Sequence, residues 1–213
     1  MVKKETRSAK PFVPEGADLA KLRKAVQGCR GCELYRNATQ AVFGEGPEKA
    51  RIVMAGEKPG DREDIEGKPF VGPAGKMLHK AMLEAGIDPE EVYITNAVKH
   101  FKFEKRGAKR LHKKPSGPEI AACRPWLDAE LDLIKPSIIV CLGATAARTL
   151  MGKEARVTKI RGELLKHEAA RYITATIHPS ALLRMPEEER RHEEYRLFVE
   201  DLRKVREKLT EGS

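Results

Sequence analysis

The chain has 213 residues, 40% of them hydrophobic, and a formal net charge of +9. That length suits one sizeable α/β domain and is short for two. The N-terminal MVKKETRSAKPFVPEG lacks the apolar segment of a secretory signal, and no apolar run approaches a membrane span. The composition therefore speaks against a membrane protein, leads us to expect a cytoplasmic one, and suits a polyanionic partner.

Residues 1–15 are polar and read as a flexible tail ahead of a single domain over 16–210. Residues 18–27 read as a short helix with Leu19, Leu22, Ala25 and Val26 apolar. It leads into Cys29-Arg30-Gly31-Cys32. Residues 51–55 form a short apolar run ending at Gly56, the mark of a buried strand. A helix over 73–84 follows, with Met77, Leu78, Ala81 and Met82, and then a second strand over 92–96. A basic insert occupies 101–115. Ser116, Gly117 and Pro118 open a helix that runs to 133 and stops near Pro136. Residues 137–142, SIIVCL, are apolar throughout, as in a parallel strand covered on both faces. Gly143 opens another helix, and residues 157–165 read as extended chain with a turn at Arg161-Gly162. The fourth strand, 172–177, ends at His178-Pro179-Ser180, and an amphipathic helix fills 187–209. This alternation predicts a three-layer α/β/α domain on a four-stranded, mainly parallel sheet. In such sheets sites lie beyond the carboxyl ends of the strands, where GEKPGD, TNAVKH and HPS fall here.

Two features carry chemistry. The stretch KHFKFEKRGAKRLHKK, residues 99–114, holds eight Lys or Arg, one acid, two Phe and two His. Cations displace counterions from phosphates and rings stack on exposed bases, so the run suits nucleic acid; a solvated basic loop is the plainer reading. The four cysteines are Cys29, Cys32, Cys123 and Cys141. The CxxC at 29–32 fits a redox pair, a zinc half-site or an iron–sulfur half-site. It follows a helix rather than opening one after a strand, which weakens the redox reading.

The motifs resemble, in order, those of the family 4 uracil-DNA glycosylases. Gly56-Glu57-Lys58-Pro59-Gly60-Asp61 with Gly67–Gly72 is similar to the first motif, and Thr95-Asn96-Ala97-Val98-Lys99 to the uracil-recognising asparagine segment. Ala122-Cys123-Arg124-Pro125-Trp126-Leu127 is similar to a cluster-ligand segment; Leu142-Gly143-Ala144-Thr145-Ala146 and His178-Pro179-Ser180 complete the set. The family has a cysteine where this chain has His100. The loop Lys109-Arg110-Leu111-His112 resembles the Lys-Arg-Arg-Ile-His motif of the UdgX subgroup, glycosylases that become covalently attached to uracil-containing DNA. Ala108 stands here for the motif's first Lys.

The resemblance implies roles. Uracil flipped from the strand would stack on Phe70, pair with Asn96, and lie among Gly56, Lys58 and Asp61. His178 would donate to O2 as the base leaves. His112 would attack C1′, with Glu57 holding its imidazole. Lys109, Arg110 and Ser180 would meet the DNA backbone. Cys29, Cys32, His100 and Cys123 would bind a [4Fe–4S] cluster, with Cys141 as a competing fourth ligand and a Cys3His zinc site as the alternative metal. The implied partner is uracil-containing DNA, preferably single-stranded, with uracil released and a monomeric protein. A turnover glycosylase, and a non-catalytic damage-binding protein, are the rival readings.

Overall fold

The structure is a computed structural model and describes residues 7–211. The segments are α1 (Leu19–Ala25), β1 (Ile52–Gly56), α2 (Asp61–Glu66), α3 (Pro73–Glu84), β2 (Val92–Asn96), β3 (Phe103–Arg106), β4 (Lys109–His112) and α4 (Gly117–Ile134). They continue with β5 (Ile138–Leu142), α5 (Ala144–Met151), α6 (Val157–Ile160), β6 (Leu165–His167), β7 (Ala170–Thr176), α7 (Pro179–Leu183) and α8 (Glu188–Thr210).

The central sheet has the order β2-β1-β5-β7-β6. Its first four strands are parallel and β6 is antiparallel to β7. The expected fold class holds, with five strands rather than four. The extra strand comes from chain read only as extended, since a three-residue edge strand has too few residues to show a period. Residues 157–160, inside that stretch, are a helical turn.

Alternation along the strands divides the core. Val53, Ala55, Ile139 and Cys141 face Trp126, Leu127, Ala146 and Leu150 of α4 and α5. Ile52, Met54, Ile138 and Val140 face Leu78, Met82, Phe198 and Leu202 of α3 and α8. Each large apolar side chain so buried contributes about 1.5–3 kcal/mol. No helix among the described residues is long and apolar enough to cross a membrane.

Two regions differ from expectation. Of the tail over 1–15, residues 1–6 lie outside the described residues, but the rest is not loose. Ala9 is buried, and its N–H donates to the carbonyl of Ala122 at 2.7 Å. Gly31 allows this approach, because a Cβ there would sit 2.6 Å from the Ala9 backbone. The basic insert, expected as a loop, is a β3–β4 hairpin with Phe103 opposite His112 and Gly107 at φ 58° in its turn. A glycine at positive φ is what a tight hairpin turn requires.

Candidate active site

Because β1, β2, β5 and β7 run parallel, their carboxyl ends open on one side, at Gly56, Asn96, Leu142 and Thr176. A cleft of about 980 Å³ lies there. Glu57, Lys58, Asp61, Phe70, Asn96, His112, His178 and Ser180 all line it.

Asn96 is the last residue of β2 and is buried, and among the described residues its Oδ1 has no hydrogen-bond partner. An orphaned buried acceptor costs about 1–3 kcal/mol, so this oxygen is set for a donor from outside the chain. Gly56 stands opposite in the register. A Cβ at Gly56 would fall 2.5 Å from Asn96 Oδ1 and 2.7 Å from Phe70 Cζ, so glycine keeps the floor of the cleft open. Phe70 holds φ at 54°, a left-handed conformation that a bulky residue adopts only when its surroundings enforce it. In the same loop Glu63 accepts the N–H of Gly72 at 2.9 Å. The Phe70 ring lies 5.8 Å from that of His178.

His178 is the N-cap of α7. Its Nδ1 accepts the N–H of Ser180 at 3.1 Å and lies 2.8 Å from the Ser180 hydroxyl. With Nδ1 an acceptor, the neutral ring carries its proton on Nε2, which is left to donate into the cleft. Burial, then the Arg184 and Lys58 charges, push its pKa down to about 4, so the ring is neutral at physiological pH. Ser180, expected against the DNA backbone, thus sets the His178 tautomer.

His112 closes β4 at the exposed rim of the cleft, its ring 4.8 Å from Phe101. Partial burial, then Lys58, lower its pKa. The expected Glu57–His112 bond does not form. Glu57 accepts instead from the Thr145 hydroxyl at the start of α5, and the group beside His112 Nδ1 is Lys58 Nζ, at 3.4 Å. Arg110 also departs from expectation. Its guanidinium pairs with Asp61 and Asp64 at 2.5 Å each and lies over the rings of Phe101 and Phe103. It pins the hairpin to α2 and pairs with Asp61, which was expected at uracil. Lys105, Arg106, Lys109 and Lys114 are exposed and make no ion pair among the described residues.

On the α4 side, Cys29, Cys32 and Cys123 are buried in one apolar cluster with Trp126. The Trp126 indole donates to Cys29 Sγ and the Lys99 N–H to Cys123 Sγ, each at 3.2 Å. Burial pushes the Cys123 thiol up to about 12, with the Cys32 and Cys29 thiols adding to it. His100, next in chain to Lys99, is buried, and burial drives its pKa down to about 4 against the pull of Asp64. Cys141, in the same apolar cluster, lies on β5 between Ala55 and Ala175, and burial alone takes it to about 12. Among the described residues no three His, Cys, Asp or Glu converge as one metal ion requires.

Sequence reasoning missed what braces these groups. Lys99 and Glu130 form a fully buried pair at 2.5 Å. Lys99 Nζ also donates to the Asn96 carbonyl at 2.8 Å, and Glu130 accepts from Tyr93, Thr95 and the Gly44 N–H. A buried charge needs its partner within the fold, and one-dimensional spacing does not reveal that pairing.

The fold and the cleft together define an α/β protein with one site at the carboxyl ends of its parallel strands, lined by Asn96, Phe70 and His178, and a basic hairpin at its rim. A family model described as the uracil DNA glycosylase superfamily matches residues 43–203. The chain is 40% identical over 182 residues to the type-4 uracil-DNA glycosylase of Thermotoga maritima, covering 85% of this chain and 89% of that one. It is 38% identical over 197 residues to the type-4 enzyme of Sulfurisphaera tokodaii, covering 89% and 84%. With that of Archaeoglobus fulgidus it shares 35% over 173 residues, covering 77% and 82%. The chain belongs to the uracil-DNA glycosylase superfamily, on its type-4 branch.

Proposed function

We propose that this protein excises uracil from DNA and is then held covalently on the product through His112. The observation that carries the reading is that the His112 ring lines the same cleft as Asn96, Phe70 and His178. Uracil stacks on Phe70 and fills the orphaned Asn96 Oδ1 with its N3–H, while Asn96 Nδ2 reaches O4. The C1′–N1 bond breaks with its electron pair going to uracil, and the His178 Nε2–H stabilises the charge that develops on O2. Glu57, in the cleft, offsets the positive charge growing at C1′. The His112 Nε2 lone pair then bonds to C1′ and uracil departs.

Cys29, Cys32, His100 and Cys123 suit a [4Fe–4S] cluster. They are three buried sulfurs, two of them receiving N–H donors, and a buried imidazole kept neutral. The cluster would supply a cross-link joining the CxxC, the chain after β2 and α4, and no chemistry at uracil. The reading carries with it single-stranded uracil DNA as the preferred partner, free uracil as product, and a monomeric, cytoplasmic protein.

A turnover enzyme is the second reading, and Glu57 favours it. Fixed by Thr145 inside the cleft, this carboxylate can direct a water at C1′. One experiment separates the two. Protein and uracil-containing single-stranded DNA are mixed and run on a denaturing gel. A denaturant-stable shifted band that His112→Ala abolishes supports capture. Alkali-labile breaks without a shifted band support turnover. A shifted band that persists in His112→Ala refutes the histidine assignment.

A further inference from the structure

We infer that Lys58 is the proton acceptor for His112, its amine taking the Nδ1 proton as Nε2 bonds to C1′. This rests on His112 as the nucleophile. A neutral imidazole has one nitrogen protonated and one free. For Nε2 to attack, the proton must sit on Nδ1, and Nδ1 must face an acceptor. The group it faces is Lys58 Nζ, at 3.4 Å. The carboxylate that could have served, Glu57, is engaged by Thr145.

An amine accepts only when it is neutral, and the surroundings of Lys58 lean that way. No ion pair holds it among the described residues, and it is half-buried between the cleft and the hairpin. Burial lowers its pKa most; Glu57 and Glu63 act against this, and Arg184 from beyond α7 adds to it. Asp61 of α2 and His178 at the start of α7 face the same space, the latter neutral.

The step balances. The C1′–N1 pair leaves with uracil, Nε2 forms the new C–N bond, and the Nδ1 proton moves to Nζ. The products are a neutral glycosyl-imidazole, an ammonium and the uracil anion, which takes a proton from solvent. The ammonium has a place to go, 4.9 Å above the Phe101 ring and near Glu57 and Glu63. Run in reverse, an ammonium at rest would donate to Nδ1, put the imidazole proton on Nε2 and block attack. Capture should therefore switch on as pH rises through the titration of Lys58.

The test is the rate of adduct formation on uracil-containing single-stranded DNA from pH 5 to 10 for wild type, Lys58→Gln and Lys58→Arg. Wild type should gain about ten-fold per pH unit along its rising limb and then level off. Lys58→Arg, a permanent donor to Nδ1, should capture about a hundred-fold more slowly at the plateau. Lys58→Gln, whose amide oxygen accepts the Nδ1–H hydrogen bond but cannot take the proton, should capture faster than Lys58→Arg yet about ten-fold more slowly than wild type at the plateau, with its rising limb moved down to the titration of His112 alone. Nitrogen-15 spectra of the free proteins read the His112 tautomer directly: Nδ1–H in Lys58→Gln, Nε2–H in Lys58→Arg. Melting curves report folding, and if Lys58→Arg unfolds, the Lys58→Gln profile and tautomer decide. A wild-type adduct with both variants matching its rate and pH profile overturns the role of Lys58 alone. No wild-type adduct at any pH overturns the His112 reading, and the proton transfer with it.

Discussion

At the scale of single residues, the cleft is held ready at a cost in stability. Asn96 keeps a buried oxygen unpaired, and Phe70 keeps a strained backbone. Groups kept in this state for a ligand can be removed with little harm to the fold. Asn96→Ala should thus melt near wild type while uracil release falls by about a hundred-fold, measured as kcat/KM or as a single-turnover rate. Gly56→Ala should lose uracil release as well, since its Cβ meets Asn96 and Phe70. His178 adds a pH dependence. Its folded pKa of about 4 lies below the ordinary 6.5, so the unfolded chain binds more protons between those values. The stability from neutral His178 is fully present above about pH 6.5 and is lost as pH falls toward 4. His178→Asn keeps an N-cap and removes the titration, so it should flatten the decline in denaturation midpoint between pH 6.5 and 4. An unchanged slope would assign the decline to other groups.

At the scale of elements, the hairpin depends on Arg110. Asp64 is fully buried, and Arg110 is its charge partner, with the Thr39 hydroxyl and N–H as its neutral donors. Arg110→Ala leaves a buried carboxylate without its cation, at a cost of about 3 kcal/mol. The variant should melt well below wild type, and its hairpin should be cut faster by trypsin. Asp64→Asn in the same chain should recover part of the loss. If Arg110→Ala melts like wild type and only weakens DNA binding, the anchoring role is wrong. Helices α1, α3, α4, α5 and α8, by contrast, were legible in sequence, whereas the short α2, α6 and α7 were not. Asp18 caps α1, and Ser116 with Glu119 forms a capping box on α4, both local signals. The hairpin was not legible, because Phe103 opposite His112 and Lys105 opposite Arg110 carry no apolar alternation.

At the scale of the whole molecule, two partners are tested by bulk measurements. Lys105, Arg106, Lys109 and Lys114 are the exposed cations of the hairpin region, since Lys102 and Lys113 are paired with Glu119 and Glu104. Four phosphate contacts on a single strand give a log–log salt slope of about −3 for the initial binding step. The covalent product, a C–N bond, should be indifferent to salt. For the cluster, protein prepared without oxygen should be brown with about four irons per chain. Cys123→Ala should lose the iron and Cys141→Ala should keep it. Iron lost from Cys141→Ala but kept in His100→Ala would move the fourth ligand to β5.

The sequence by itself determined the α/β/α class, the ends at which the parallel strands open, and the residues gathered there. These follow from local patterns: apolar runs, glycine stops, caps and motifs that close within a few residues. Tertiary structure alone decided the partners. Glu57 went to Thr145, Lys58 to His112, Arg110 to Asp61 and Asp64, and Lys99 to Glu130, and Ala9 was drawn under Gly31. A charged or polar side chain takes whichever partner the packed backbones bring within about 3 Å, and that distance has no counterpart along the chain.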